Sequence, residues 1–295
     1  MIPFWVPSSK PFPRFSIEAG YDDNNNKIYV GRAKHLDKLI PASVYKSIDY
    51  GIVTWDGSAH GKIEYEYLVG VDYAWQQCQD GEVPDNAVRT GRTMKRRRED
   101  KSLEREWLYV GRAQYEGTLM VGTIQPSEKC IYIPHKRKEI KLQSYEVLYL
   151  RKFDNWKLMA TNADIFPDAV EVGEDRDYSK MYVARWFFQE LMYPVKFIPD
   201  REEAIICQDG PEHKVTMVHV LRGDNYIWQK ATSEDVYDKA VYTGYTMDGD
   251  ILFVGRGYHD DVLCVGLVSL AHKALIAPYG GKVIGIEDFE VLIRI

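Results

Sequence analysis

Four short runs decide how this chain is read: Tyr29-Val30-Gly31-Arg32-Ala33, Tyr109-Val110-Gly111-Arg112-Ala113, Tyr182-Val183-Ala184-Arg185-Trp186 and Phe253-Val254-Gly255-Arg256-Gly257. Each has a strand's aromatic and β-branched character with an arginine near its middle. Thirty-six residues after each leading aromatic a second apolar run begins, at Tyr65, Tyr145, Val218 and Phe289. A constant internal length kept by four diverged copies describes one structural unit used four times.

The unit extends backwards from the arginine run. A glycine stands nine residues before the aromatic in three copies, at Gly20, Gly173 and Gly244. In the second copy it is Gly91, eighteen residues before Tyr109, so that copy carries nine extra residues. A tryptophan precedes each glycine by fifteen to seventeen residues (Trp5, Trp75, Trp156, Trp228), and Ile17, Val88, Val170 and Val241 stand three before it. A large aromatic at a fixed position is read as a core anchor, because tryptophan buries so much area.

Between these marks Val, Ile, Tyr and Thr dominate, and Gly, Pro, Asp or Asn interrupts about every ten residues, which predicts short antiparallel strands. Trp55-Asp56-Gly57, Gln208-Asp209-Gly210 and Tyr279-Gly280-Gly281 fall at matching places and read as tight hairpin turns, where positive φ is needed. The second copy has His135-Lys136-Arg137-Lys138 there, so a different turn is expected. No amphipathic helix of three turns is visible. The fold class expected is all-β and antiparallel: two pseudo-two-fold-symmetric domains, 1–150 and 151–295, each of two tandem repeats. The short Tyr149–Asn155 connection predicts that they touch.

Three of the four arginines have an acid waiting in the second run (Glu66, Glu146, Glu290), and a structural role explains a charge kept in all four copies. His219 takes the acid's place in the third copy, so Arg185 needs another partner.

Composition sets outer limits. The chain has 295 residues, 45% hydrophobic and 28% charged, as a folded globular protein has. No apolar run approaches the roughly 20 residues that span a bilayer. Met1-Ile-Pro-Phe-Trp-Val-Pro lacks the basic start and apolar stretch of a secretory signal, so a cytoplasmic location is expected. Cys78, Cys130, Cys207 and Cys264 show no metal-ligand spacing and read as reduced core thiols. A net charge of −6 argues against general nucleic-acid binding. Lys95-Arg96-Arg97-Arg98 within the extra residues reads as a solvated loop, with nuclear import or an acidic partner as the alternatives. No phosphate loop, Gly-x-Ser-x-Gly or His-Glu-x-x-His motif is present. No catalytic residue, metal or cofactor is expected, and the protein is read as a non-enzyme.

The combination Ala19-Gly20-x-Asp22, Tyr29-Val30-Gly31-Arg32-Ala33, Trp75, Val83-Pro84-Asp85-Asn86-Ala87-Val88, Gly91 and Tyr145-Glu146-Val147-Leu148 resembles the DM-nine repeat family over the whole chain. That resemblance implies repeats packed in pairs, repeat one with two and three with four. It also implies a mannose-binding lectin of innate recognition. The family's sugar site uses an acid just after the glycine and a lysine 21 residues later. By position the acid slots are Asp22, Thr93, Asp175 and Thr246, and the lysine slots are Ser43, Thr123, Lys196 and Leu267. Asp175 and Lys196 alone fill both, Asp22 is the weaker second candidate, and Trp186 is a candidate stacking platform. An acceptor beside a cationic donor suits vicinal hydroxyls, whereas the same pair as a plain surface ion pair is worth little. The partners implied are mannose-containing glycans. A protein partner, if sugar binding has been lost, and a second copy of the chain are further candidates.

Overall fold

A computed structural model describes residues 3–96, 102–151, 154–188, 191–207, 212–246 and 248–295. Its regular elements are antiparallel strands and four short 3-10 turns, with no α-helix among the described residues. The chain divides into two compact units, residues 1–152 and 153–295.

Every repeat contributes seven strands in the same order. In repeat one these are the tryptophan strand (Phe4–Pro7), the glycine strand (Glu18–Tyr21), the arginine strand (Lys27–His35), the crossing strand (Lys38–Tyr45), two hairpin strands (Tyr50–Trp55 and Ser58–Lys62) and the return strand (Glu66–Val69). In space the return strand lies between the tryptophan and arginine strands, followed by the crossing and hairpin strands, and all four repeats keep that order. In the first unit a pairing of Lys138 with Ser58 joins the two repeats into one fourteen-stranded sheet. The second unit has two seven-stranded sheets.

Alternation explains what each arginine strand buries. Val30, Val110, Val183 and Val254 are core residues, and each arginine stands two positions on, on the same face. The β-branched residue before each glycine ties two strands together through its backbone. Val88 donates its N–H to Leu148 and accepts one from Val110, and Val170 and Val241 repeat this with Leu221 and Val183, and with Leu292 and Val254. Cys78, Cys130 and Cys264 are buried and free.

The repeat's glycine has a specific task. A Cβ on Gly20 would collide with the backbone carbonyl of Leu119, and one on Gly91 with that of Leu39. One on Gly244 would meet the Met192 carbonyl at 2.5 Å, and one on Gly173 the Leu263 side chain at 2.5 Å. Leu39, Leu119, Met192 and Leu263 occupy one equivalent place on the crossing strands Lys38–Tyr45, Thr118–Gln125, Leu191–Ile198 and Val262–Ser269. The glycine strand of each repeat therefore passes directly over the crossing strand of its partner, reciprocally within each unit.

The turn expected to differ does not. Lys136 and Arg137 take positive φ angles of 47° and 66°, much as Asp56 and Gly57 do at 53° and 79°. The surrounding hairpin imposes the two-residue geometry although neither residue is glycine, a conformation uncommon for such side chains. Gly280 and Gly281 form the same turn, whereas Gln208-Asp209-Gly210 lies outside the described residues. The extra residues of repeat two lengthen its glycine strand (Arg89–Arg96) and arginine strand (Leu103–Tyr115) into a ribbon. Within it Arg92 stacks on Trp107 at 3.8 Å and Lys95 pairs with Glu104 at 3.0 Å. Residues 97–101, which include Arg97 and Arg98 of the basic run, lie outside the described residues.

Because the crossing leaves no room for a methyl group, Gly20→Ala is expected to cost the first unit about 1–3 kcal/mol. Urea denaturation followed by tryptophan fluorescence measures this, and an unchanged midpoint would contradict the crossing.

Candidate functional site

The four arginines build the most regular side-chain constellation in the molecule. Arg32 faces Glu66 across the strands, with Nε to Oε2 at 2.5 Å and Nη2 to Oε1 at 3.1 Å. Arg112 and Glu146 repeat this at 2.7 and 3.2 Å, and Arg256 Nε reaches Glu290 at 2.8 Å. The repeat's tryptophan lies under each guanidinium: Trp5 at 4.4 Å, Trp75 at 4.3 Å and Trp228 at 4.6 Å. These tryptophans are partly buried, so they are platforms for a cation as well as core anchors. Arg112 Nη1 also donates to the Ala19 carbonyl (2.9 Å) and Arg256 Nη1 to that of Val172 (2.5 Å), each on the partner repeat's glycine strand.

Arg185 keeps the tryptophan (Trp156, 4.2 Å) and the partner carbonyl (Thr243, 3.3 Å) but faces His219 in place of glutamate. Its Nε, His219 Nδ1 and Trp156 Nε1 are buried without a hydrogen-bond partner. Burial holds the guanidinium down to about 10, with Asp154 and Tyr242 opposing. Burial, and then the adjacent Arg185, push the His219 imidazole below its ordinary value.

The acid slot begins the loop between glycine and arginine strands, and its backbone role is shared. The N–H groups of Asp22, Asp175 and Thr246 donate to the carbonyls of Asn26, Ser179 and Asp250. Only at Asp175 does the side chain leave the turn. Its Oδ2 accepts from Lys196 Nζ at 3.2 Å and from Arg201 Nη1 at 2.8 Å. Burial tends to raise the Asp175 pKa, but the Arg176 N–H, Lys196 and Arg201 outweigh it and hold the carboxyl below the usual range. The Asp175 side chain is 6% exposed, against 16% for Lys196 and 33% for Arg201. The cations therefore face solvent while the acid beneath fixes them. Asp177 and Glu203 flank Arg201, and Tyr279 of repeat four receives a bond from Arg176 at 3.3 Å.

The other slots are spent on structure. Asp22 Oδ1 accepts the N–H groups of Asn24 and Asn26 at 2.9 and 2.8 Å, and Asn26 Nδ2 reaches Oδ2. Burial tends to raise the Asp22 pKa, yet these bonds, the Asn26 side chain first, leave it lowered. Ser43 is fully buried and donates to the Val121 carbonyl of the partner repeat at 3.0 Å. Asp22 nevertheless borders a cleft of about 480 Å³, with Tyr45 and Tyr50 of its own repeat and His135, Lys136 and Arg137 of the next. A related cleft of about 360 Å³ joins Thr93 and Thr123 to Trp55, Asp56 and Gly57. The pair symmetry thus places the Asp22 and Thr93 slots opposite the hairpin turns of their partner repeats.

Trp186 is not part of the Asp175 cluster. It faces Tyr193 on the crossing strand, three residues from Lys196, a separation of about 10 Å along the strand. Its ring stacks on His219 at 5.6 Å, so its role belongs to the Arg185 site. Sequence reasoning missed Arg201 and Tyr279. Arg201 is five residues beyond the lysine slot, at the 3-10 turn Pro199–Arg201, and Glu202 after it is left-handed, as Asp49, Lys129 and Lys273 are at the matching positions of the other repeats. No group of acids, histidines or cysteines with metal-holding geometry occurs among the described residues, and no helix there is long and apolar enough to cross a membrane.

The family model for the DM9 repeat matches residues 22–142, 102–178 and 175–286. The crystal structure of the nematode sperm cell motility protein MFP2B is similar over 99% of this chain and 97% of its own, at 11% identity and a TM-score of 0.38. No curated protein matches the chain.

His219 gives the second unit an acid sensitivity. Its folded pKa lies below the value of 6.5 it has when unfolded, so the unfolded chain binds the proton first. Stability is full above about pH 6.5 and falls as pH drops from there through the lowered folded value. Urea midpoints at pH 7.5 and 5 should separate more in the wild type than in His219→Gln.

Proposed function

The chain belongs to the DM9 repeat family, and from that membership and the Asp175 cluster we infer a carbohydrate-binding recognition protein of mannose-type preference, acting without catalysis. The observation carrying this reading is a buried carboxylate that holds two partly exposed cations side by side at the boundary between two repeats. Lys196 and Arg201 supply charge-assisted donors to sugar oxygens, and Asp177 and Glu203 supply nearby acceptors for sugar hydroxyls. Innate recognition is the setting that the family resemblance suggests. The cleft beside Asp22 is a second, weaker candidate, because the Asp22 carboxylate is committed to its own turn.

One observation favours a second reading, a protein-interaction module that has lost sugar binding. Both cations already meet on Asp175, whose side chain is almost covered, and a ligand must compete with those bonds.

A glycan array separates the two readings. Binding that free mannose competes away supports the lectin, and silence across the array supports the protein-interaction module. Lys196→Ala removes one donor but leaves Asp175 paired with Arg201, so the fold should persist while ligand affinity falls by about 1.5–3 kcal/mol. An array profile unchanged by Lys196→Ala would remove this cluster from the binding site.

A further inference from the structure

We propose that the third repeat holds a small carboxylate anion, formate to acetate in size, between Arg185 Nε and His219 Nδ1, where a glutamate side chain sits in the other three repeats. In those repeats the arginine Nε donates to a glutamate Oε2 at 2.5, 2.7 and 2.8 Å. Arg185 occupies the same place, since it keeps its tryptophan platform and its bond to the partner repeat's glycine strand. Only the acceptor is missing, and the atom that lacks it is that same Nε.

His219 stands at the glutamate's register position and brings a second buried nitrogen without a partner. As the tautomer protonated at Nδ1, a neutral imidazole donates into the same gap. One carboxylate bridging Nε–H and Nδ1–H satisfies both atoms and neutralises a guanidinium that the fold has drawn out of water. A bridging water satisfies the hydrogen bonds but leaves the charge, and a buried charge without a counterion is costly. Asp154 lends the guanidinium some charge support, but its oxygens bind Arg294, at 2.9 and 2.6 Å, and Tyr226, and neither of them reaches Nε. Arg185 and His219 each keep part of their surface exposed, and Trp186 stacked on His219 forms one wall. This site is independent of the glycan reading.

The full chain is tested at pH 7.5 by thermal unfolding against sodium formate, with ionic strength held constant by sodium chloride. At tenfold excess over the dissociation constant the wild-type midpoint should rise by about 3–6 °C and go on rising with the logarithm of formate concentration. His219→Glu supplies the carboxylate from the chain itself, so it should start higher and ignore formate. Line broadening of carbon-13 formate by the wild type, relieved by acetate and absent with His219→Glu, reports binding without reference to stability. A flat wild-type response, or an equal response in His219→Glu, overturns the proposal and leaves water as the bridge. If chloride matches formate when each is titrated against sodium fluoride, the assignment to a carboxylate is overturned.

Discussion

The architecture rests on a backbone crossing so close that one of the two strands must lack a side chain. Wherever a glycine strand passes over its partner's crossing strand, Gly20, Gly91, Gly173 or Gly244 is the residue at the contact. A Cβ there meets a main-chain carbonyl in three of the four cases, and a carbonyl fixed in a sheet cannot move aside as a flexible side chain can. The crossing sets the distance between repeats. That distance brings the Asp22 and Thr93 slots opposite a foreign hairpin turn, and it lets Arg112, Arg185 and Arg256 reach the partner's backbone.

Arg112, Arg185 and Arg256 each serve two strands and two repeats at once, which accounts for their persistence. One edge of the guanidinium meets the glutamate of its own return strand, another donates to the neighbouring repeat, and the flat face lies on tryptophan. Lysine, with a point charge and no plane, could not satisfy that geometry. Repeat three shows that the arrangement survives loss of the glutamate when the remaining contacts hold the cation in place. The same repeat carries the Asp175 cluster, so the two departures from the common pattern lie within one copy.

Much of this was legible in the sequence for a simple reason. Arg32 and Glu66 are directly opposite on neighbouring strands, so a constant spacing along the chain becomes a constant contact in space. The all-β architecture followed from similar regularities, whereas the pairing of Lys196 with Asp175 came from the family resemblance, mapped by position. What stayed hidden depends on packing between repeats. No spacing foretells that Ser43 is sealed under Val121, that Arg201 turns back to share Asp175, or that Tyr279 arrives from another repeat. The turn at Lys136 and Arg137 was misjudged because the flanking strands, not the turn residues, decide its shape. The stacking of Trp186 on His219 of another strand is likewise a contact that no local spacing foretells, although its packing against the core is the plain reading of a large aromatic.

Reciprocity at the crossing also limits how such a chain can grow or shrink. A solitary repeat would present a bare glycine edge to water and leave an arginine donor with no carbonyl to receive it. A third repeat appended to a finished pair would find both complementary surfaces already occupied. The inheritable module is therefore the couple, so tandem copies should be gained or lost in even numbers. Each member is then free to diverge only where the other does not lean on it.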